Sequence, residues 1–396
     1  MKKILLITVL ALAVANMGIA GTIKKEFDIG MGKKLVMDLE TGGGVYISGW
    51  DKEKVAVKVH VSGVDEDDYD LDFDTRSSGI KIRADYRKRW GRHGGDFEFD
   101  VKVPEKFDIE IESSGGGIHI ADVEGDISGN TAGGGLDFTN VRGDIDFKTM
   151  GGEIRVSGVK GHLSLKTMGG GITVTDSEAN GKVSTMGGSI LIEDVKGNLK
   201  GSTMGGNVIY RNATGRSDGS ESSTGDEVHI STMAGDIHVD DAPQGADLNT
   251  KGGDITVRSA GKFVKAKTLG GDIEINEIDG WVNASTLGGD VTVNMVGDPD
   301  EGGRDVEISS LGGEITLTVP PDLSMEFDIE LAITKNSRRD YEIISDFDMK
   351  QEKTREWDRS HGSKRKYIYG TGTVAGGKNK IEISTINGNI YIKKGA

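Results

Sequence analysis

A glycine pair recurs every eighteen residues through most of this chain, and few folds can accommodate such a beat. The second glycine of each pair or triplet falls at Gly116, Gly134, Gly152, Gly170, Gly188 and Gly206. The series resumes at Gly235, Gly253, Gly271 and Gly289 and appears once more at Gly313. A fixed period of this length marks a solenoid, in which each repeat buries its apolar face only against its neighbours. A shorter period sits inside the longer one. In TMGGEIRVSGVKGHLSLKTM, residues 149–168, Ile154, Val156 and Val159 recur nine residues later as Leu163, Leu165 and Met168. Apolar and polar residues alternate between the glycines, which is the period of a strand with one wet face. The pattern predicts an all-β parallel β-helix, or solenoid, with about eighteen residues per turn in two nine-residue strand–turn units. Two flat sheets facing each other fit the nine-residue beat; a three-sided coil of hexapeptides is the second choice.

In this reading the inward positions are Ile, Val, Leu and Met. Met150, Met168, Met186, Met204 and Met233, continued by Leu269, Leu287 and Leu311, form one column. Such a column has two readings, a metal or cofactor feature or core filler, and the flexibility of methionine favours core. Beside it runs a threonine ladder, Thr149 to Thr286, expected to bond to its own copies one turn away.

The period divides the chain. Residues 1–20 read as a signal peptide, with Lys2 and Lys3 ahead of an apolar run from Ile4 to Ala15 and small residues Gly18 and Ala20 before the cut. Residues 21–104 form an N-terminal β cap and strand excursion, and 105–319 the solenoid core. That core is interrupted by polar loops at 215–226 and 297–302, which add eleven and six residues. A second β excursion covers 320–370, and 371–396 supply the terminal turn and cap. Trp50 is expected to cover an open end of the core.

Charge narrows the function. The formal net charge of −16 argues against nucleic acid, whose phosphates call for a basic footprint. There is no cysteine, so disulfides, thiolate catalysis and cysteine–zinc sites are out. No second apolar segment offers a membrane span after signal cleavage. The aspartates that follow the glycines (Asp126, Asp144, Asp236, Asp254, Asp272 and Asp290) do not match the GGxGxDxUx calcium repeat. They are expected to satisfy turn amides instead, with structural calcium disfavoured. No HExxH motif is present, the GxSxG letters occur only as GRSDG at 215–219 inside a polar insertion without the strand-to-helix pattern a nucleophile elbow needs, and the sequence does not single out two of its many carboxylates as glycosidase acid and base. No catalytic, cofactor or metal residue is therefore assigned. The residues best placed to meet a partner or an anionic surface are Arg87, Lys88, Arg89, Trp90 and Arg92 in the first excursion and Trp357 in the second. A second basic group, Lys364 to Lys366, follows Trp357.

The segment GGGVYISGWDKEKVAV, the TMGGxIxV repeats and the closing GTVAGGKNKIEISTINGNIYIKK together resemble a bacterial family of glycine-rich β-solenoids regarded as candidate adhesins of unknown function. The resemblance covers nearly all of the chain past the signal region. It implies a parallel β-helix on an exported protein, periplasmic, cell-surface or secreted, and carries over no catalytic residues. The reading is an exported, non-enzymatic scaffold that binds an envelope protein or polysaccharide. The alternatives are an envelope structural or stress-signalling component and, third, a carbohydrate-active enzyme.

Overall fold

The computed structural model describes residues 20–87, 94–212, 227–359 and 362–395. The signal region, apart from Ala20, and the whole of the 215–226 loop lie outside the described residues. The fold is all-β; its one helical element among the described residues is a single 3-10 turn, Glu66–Asp68. Two compact units divide the chain at Met150 and Gly151.

In the second unit, two series of parallel strands alternate along the chain. One runs from Ile154–Ser157 through Ile172, Ile190 and Val208, each in register with the residue eighteen later. The other passes Leu163, Gly181 and Leu199 at the same offset. The eighteen-residue period is not kept throughout. Val208 faces Ile237, twenty-nine residues on, and Val291 faces Ile315, twenty-four on. These offsets exceed eighteen by the eleven and six residues of the two polar insertions, and the flanking strands keep the same register on either side of each.

The ends are not simple continuations. Asn379–Ile386 lies parallel to Val306–Ser310, seventy-five residues apart in register, and Ile390–Lys394 lies on Ile315–Val319. The excursion between them returns outside this last coil. Met325–Thr334 pairs parallel with Asn379–Ile386, and Arg365–Val374 then closes antiparallel on Met325–Thr334. The first unit does the same. Lys33–Leu39 and Gly44–Trp50 lie in register on Phe107–Ser113 and Ile118–Ala121. Gly79–Tyr86 and Asp96–Pro104 come back as their outer neighbours. Antiparallel strands Val55–Ser62 and Ala20–Phe27 follow. An open stack of parallel strands exposes unpaired backbone groups at its ends, and a change of strand direction there ends the parallel series. The fold is thus mixed rather than purely parallel.

The chain lacks cysteine, so an engineered pair reports this register cleanly. Ser309 and Ser384 are Cα partners on the outward side of neighbouring strands. Parallel neighbours stand about 4.8 Å apart, within the span a disulfide bridges. Ser309→Cys with Ser384→Cys is expected to cross-link under mild oxidation without loss of strand content by circular dichroism; free thiols would show that the last coil does not lie there.

Ile154, Val156, Val159, Leu163 and Leu165 are all buried, as the alternation requires. The methionine column is not. Met150, Met168, Met186, Met204 and Met233 are 42–55% exposed, and Leu269, Leu287 and Leu311 are 41–54% exposed. Strand parity is the reason. Leu163, Leu165 and Thr167 point in, so Met168 must point out. The buried neighbour is the threonine. Its hydroxyl donates to a glycine carbonyl of the preceding coil: Thr185 to Gly170 at 2.7 Å, Thr250 to Gly235 at 2.9 Å and Thr286 to Gly271 at 2.9 Å. The same hydroxyl accepts the N–H of the glycine three residues on. The threonines therefore bond to glycine backbone rather than to their own copies. Trp50, expected as an end cap, is half-buried and donates its indole N–H to the Lys54 carbonyl at 2.8 Å.

Candidate functional site

Three surface features have the chemistry to meet a partner. The first is the cap of the second unit. Thr334 ends the strand Met325–Thr334, whose partner strand begins at Arg365. Just beyond that pair, the Lys335 N–H donates to the Lys364 carbonyl at 2.9 Å. The two segments enclose an open cleft of about 270 Å3, lined by Thr334, Lys335, Asn336, Ser363 and Lys364. Lys366 lies two residues beyond Lys364, with its ammonium 4.9 Å from the Trp357 ring centre. Arg338 and Arg339 occupy the adjoining turn and are exposed. Among the described residues, no carboxylate lies within ion-pair distance of Lys335, Arg338, Arg339, Lys364 or Lys366. Many other cations of the chain are paired, such as Lys350 with Glu352 at 2.6 Å and Lys160 with Glu178 at 2.9 Å. Burial raises the Tyr367 phenol above its ordinary range, and the nearby Asp358 adds to the effect. Tyr367 stays neutral and stacks on Tyr369, with ring centres 5.7 Å apart, so it supports this cap rather than adding charge to it.

The second feature is the basic stretch of the first unit. Arg87 donates from Nε to Asp70 Oδ1 at 2.7 Å, and that hydrogen bond pushes its guanidinium further up. Arg87 is therefore tied to Asp70 of the neighbouring strand Tyr69–Arg76. Lys88, Arg89, Trp90 and Arg92 lie outside the described residues. Of the residues singled out from the sequence, the structure brings Trp357 together with Lys366 and ties Arg87 to Asp70. Local sequence does not reveal Lys335, Arg338 and Arg339, because they stand twenty-five to twenty-nine residues before Lys364 and join it only through the cap hairpin. The third feature is the exposed apolar edge formed by the methionines and leucines of the glycine turns.

The acidic ladder has a structural use. The Asp272 N–H donates to Asp254 Oδ1 at 2.8 Å, and the Asp290 N–H to Asp272 Oδ1 at 2.7 Å. Each carboxylate thus receives the backbone of the next coil, as expected of turn aspartates. Among the described residues, no group of three or more His, Cys, Asp or Glu is placed to hold a metal ion. The histidines are dispersed. His119 stacks parallel on Tyr46 at 5.0 Å, and His238 bonds Asp240 at 2.9 Å.

With the geometry in place, comparison with known proteins gives a family. The Toastrack DUF4097 family model matches residues 32–393. The chain belongs to that family. This Toastrack chain is similar to two solved structures, each at 11% identity. One is a candidate cell adhesion protein from Clostridium sporogenes, aligned over 95% of this chain and 100% of that one with a TM-score of 0.19. The other is a candidate lipid binding protein from Parabacteroides distasonis, aligned over 75% and 96% with a TM-score of 0.25. Likenesses this slight carry no argument about function. No curated protein matches the Toastrack chain. Among its described residues, no helix is long and apolar enough to cross a membrane.

Proposed function

We propose that this protein is an exported, non-enzymatic Toastrack scaffold that docks on an anionic envelope surface through the cap of its second unit. One observation carries the reading: Lys335 and Lys364 line one cleft, Lys366 two residues on lies over Trp357, and Arg338 and Arg339 adjoin, with no carboxylate within ion-pair distance of these cations among the described residues. The chain as a whole carries −16. A cation cluster in so acidic a protein would ordinarily be neutralised by nearby carboxylates, and here it is left open. Overall repulsion from an anionic surface leaves contact to the local patch, which orients the molecule. A signal-like N-terminus supports export. The stacked strands of the second unit then present their other surfaces away from the docking point.

Charge reversal tests this. Each lysine at an anionic surface contributes about 1 kcal/mol. Lys364→Glu with Lys366→Glu is therefore expected to weaken sedimentation of residues 21–396 with anionic vesicles or an anionic polysaccharide by about thirtyfold or more. The wild-type signal should fall steeply as salt rises. Unchanged binding in the double variant would remove the cap from the docking surface. Comparing vesicles with polysaccharide identifies which source supplies the anionic groups.

A further inference from the structure

The exposed edge of the glycine turns is not uniform. Met168, Met186, Met204 and Met233 occupy four consecutive coils, and the next coil carries Lys251. Their exposures are 46, 42, 46 and 42%. The strand register aligns them: Lys166, Ser184, Ser202 and Ser231, each two residues earlier, are successive Cα partners. The turns themselves are stacked as well. A Cβ added at Gly187 would meet the Met168 carbonyl oxygen at 3.6 Å, and one at Gly205 the Met186 carbonyl oxygen at 3.5 Å. Four thioethers therefore follow one line, with their backbones about 4.8 Å apart.

The turn itself does not demand methionine, since Ser114, Ala132 and Lys251 fill the same position elsewhere. Core packing does not demand it either, because these side chains face solvent. The chain has no cysteine, which leaves methionine as its only sulfur donor. We infer that Met168, Met186, Met204 and Met233 form a linear thioether ladder that binds soft monovalent metal ions, of the Cu(I) and Ag(I) class. Thioethers are soft, neutral ligands and select such ions over zinc, calcium or magnesium. One ion held between two sulfurs needs a donor on each side of it, and neighbouring coils supply one each at about the 4.8 Å strand spacing. The three rotatable bonds of methionine close the remaining gap. Hard oxygen ligands are not needed, and the acidic surface raises the local cation concentration. Lys251 ends the ladder with a positive charge, and Leu269, Leu287 and Leu311 continue the apolar edge without a donor.

The test is a chloride-free titration of residues 21–396 with Ag(I), which is redox-inert, followed by methionine-methyl NMR. The methyls of Met168, Met186, Met204 and Met233 are expected to shift together, while those of the buried Met37, Met295 and Met325 stay fixed. Replacing the four by leucine keeps the apolar edge and removes the donors; affinity should fall by at least about tenfold. If that variant does not fold, the single variant Met186→Leu decides, through the response of its neighbours' methyls. Unmoved ladder methyls at saturating Ag(I) would overturn the proposal. So would an unchanged affinity in the folded four-leucine variant, which would place the ion elsewhere on the chain.

Discussion

Gly253→Ala is expected to destabilise the protein by about 3 kcal/mol or more, whereas Gly252→Ala, one residue away, should change stability by no more than about 1 kcal/mol in either direction. The two glycines of the pair do different things. A Cβ on Gly253 would lie 2.2 Å from the Gly235 carbonyl oxygen and 2.4 Å from its carbon. Those atoms are backbone of the preceding coil and cannot swing aside as a side chain can. The coils would have to separate where Thr250 bonds to the same Gly235 carbonyl. A Cβ on Gly252 would meet nothing closer than 3.6 Å. The sequence already carries the mild change one coil earlier, where Ala234 stands in place of the first glycine. Urea midpoints of the two variants decide the matter. Equal midpoints would mean that the coils do not approach as closely as described.

Arg304→Ala should cost about 3–5 kcal/mol. Arg304 follows the 297–302 insertion and is 1% exposed. Its guanidinium donates to the Val296 carbonyl at 2.6 Å, to the Asp298 carbonyl at 2.7 and 3.0 Å, and to Asp279 Oδ1 at 2.6 Å. Its backbone N–H donates to Asn379 Oδ1 at 3.0 Å, which ties the inserted loop to the start of the last coil. Alanine would leave two carbonyl groups without their donors and open a space the size of the side chain. Arg304→Lys keeps the charge but has no planar fork to reach separate acceptors, so it should recover only part of the loss. Asp279→Asn should be the mildest, because the Asp279 side chain is 60% exposed and the carbonyl bonds remain. A loss for Asp279→Asn equal to that for Arg304→Ala would mean that the ion pair, and not the carbonyl fan, holds the loop.

Much of this architecture was legible in the glycine period. The period implied stacked parallel strands, and the lengths of the two polar insertions reappear as register offsets of twenty-nine and twenty-four. Hydrophobicity alone points the methionines inward, and strand parity overrules it. The alternation Leu163, Leu165, Thr167 already places Met168 outward, and a threonine takes the inward position because its hydroxyl has two backbone partners waiting. The ends were unreadable for a different reason. Nothing in a local pattern says that residues 325–334 will lie outside residues 379–386, since that order depends on which edge a returning chain finds unpaired. The basic cap shares this origin, being assembled from segments twenty-five to twenty-nine residues apart. Arg304 gave one local hint, a lone cation directly after a Gly-Asp-Pro-Asp-Glu-Gly-Gly loop, but its burial follows only from the fold around it.

We propose that this Toastrack chain docks on anionic envelope material without transforming it. The most direct measurement is co-sedimentation of residues 21–396 with anionic envelope polysaccharide and with anionic vesicles over a salt series. Reducing-end and phosphate release would be recorded in the same samples. The account predicts binding that weakens as salt rises, with no product formed. Release of product, or no binding at low salt to either material, would contradict it.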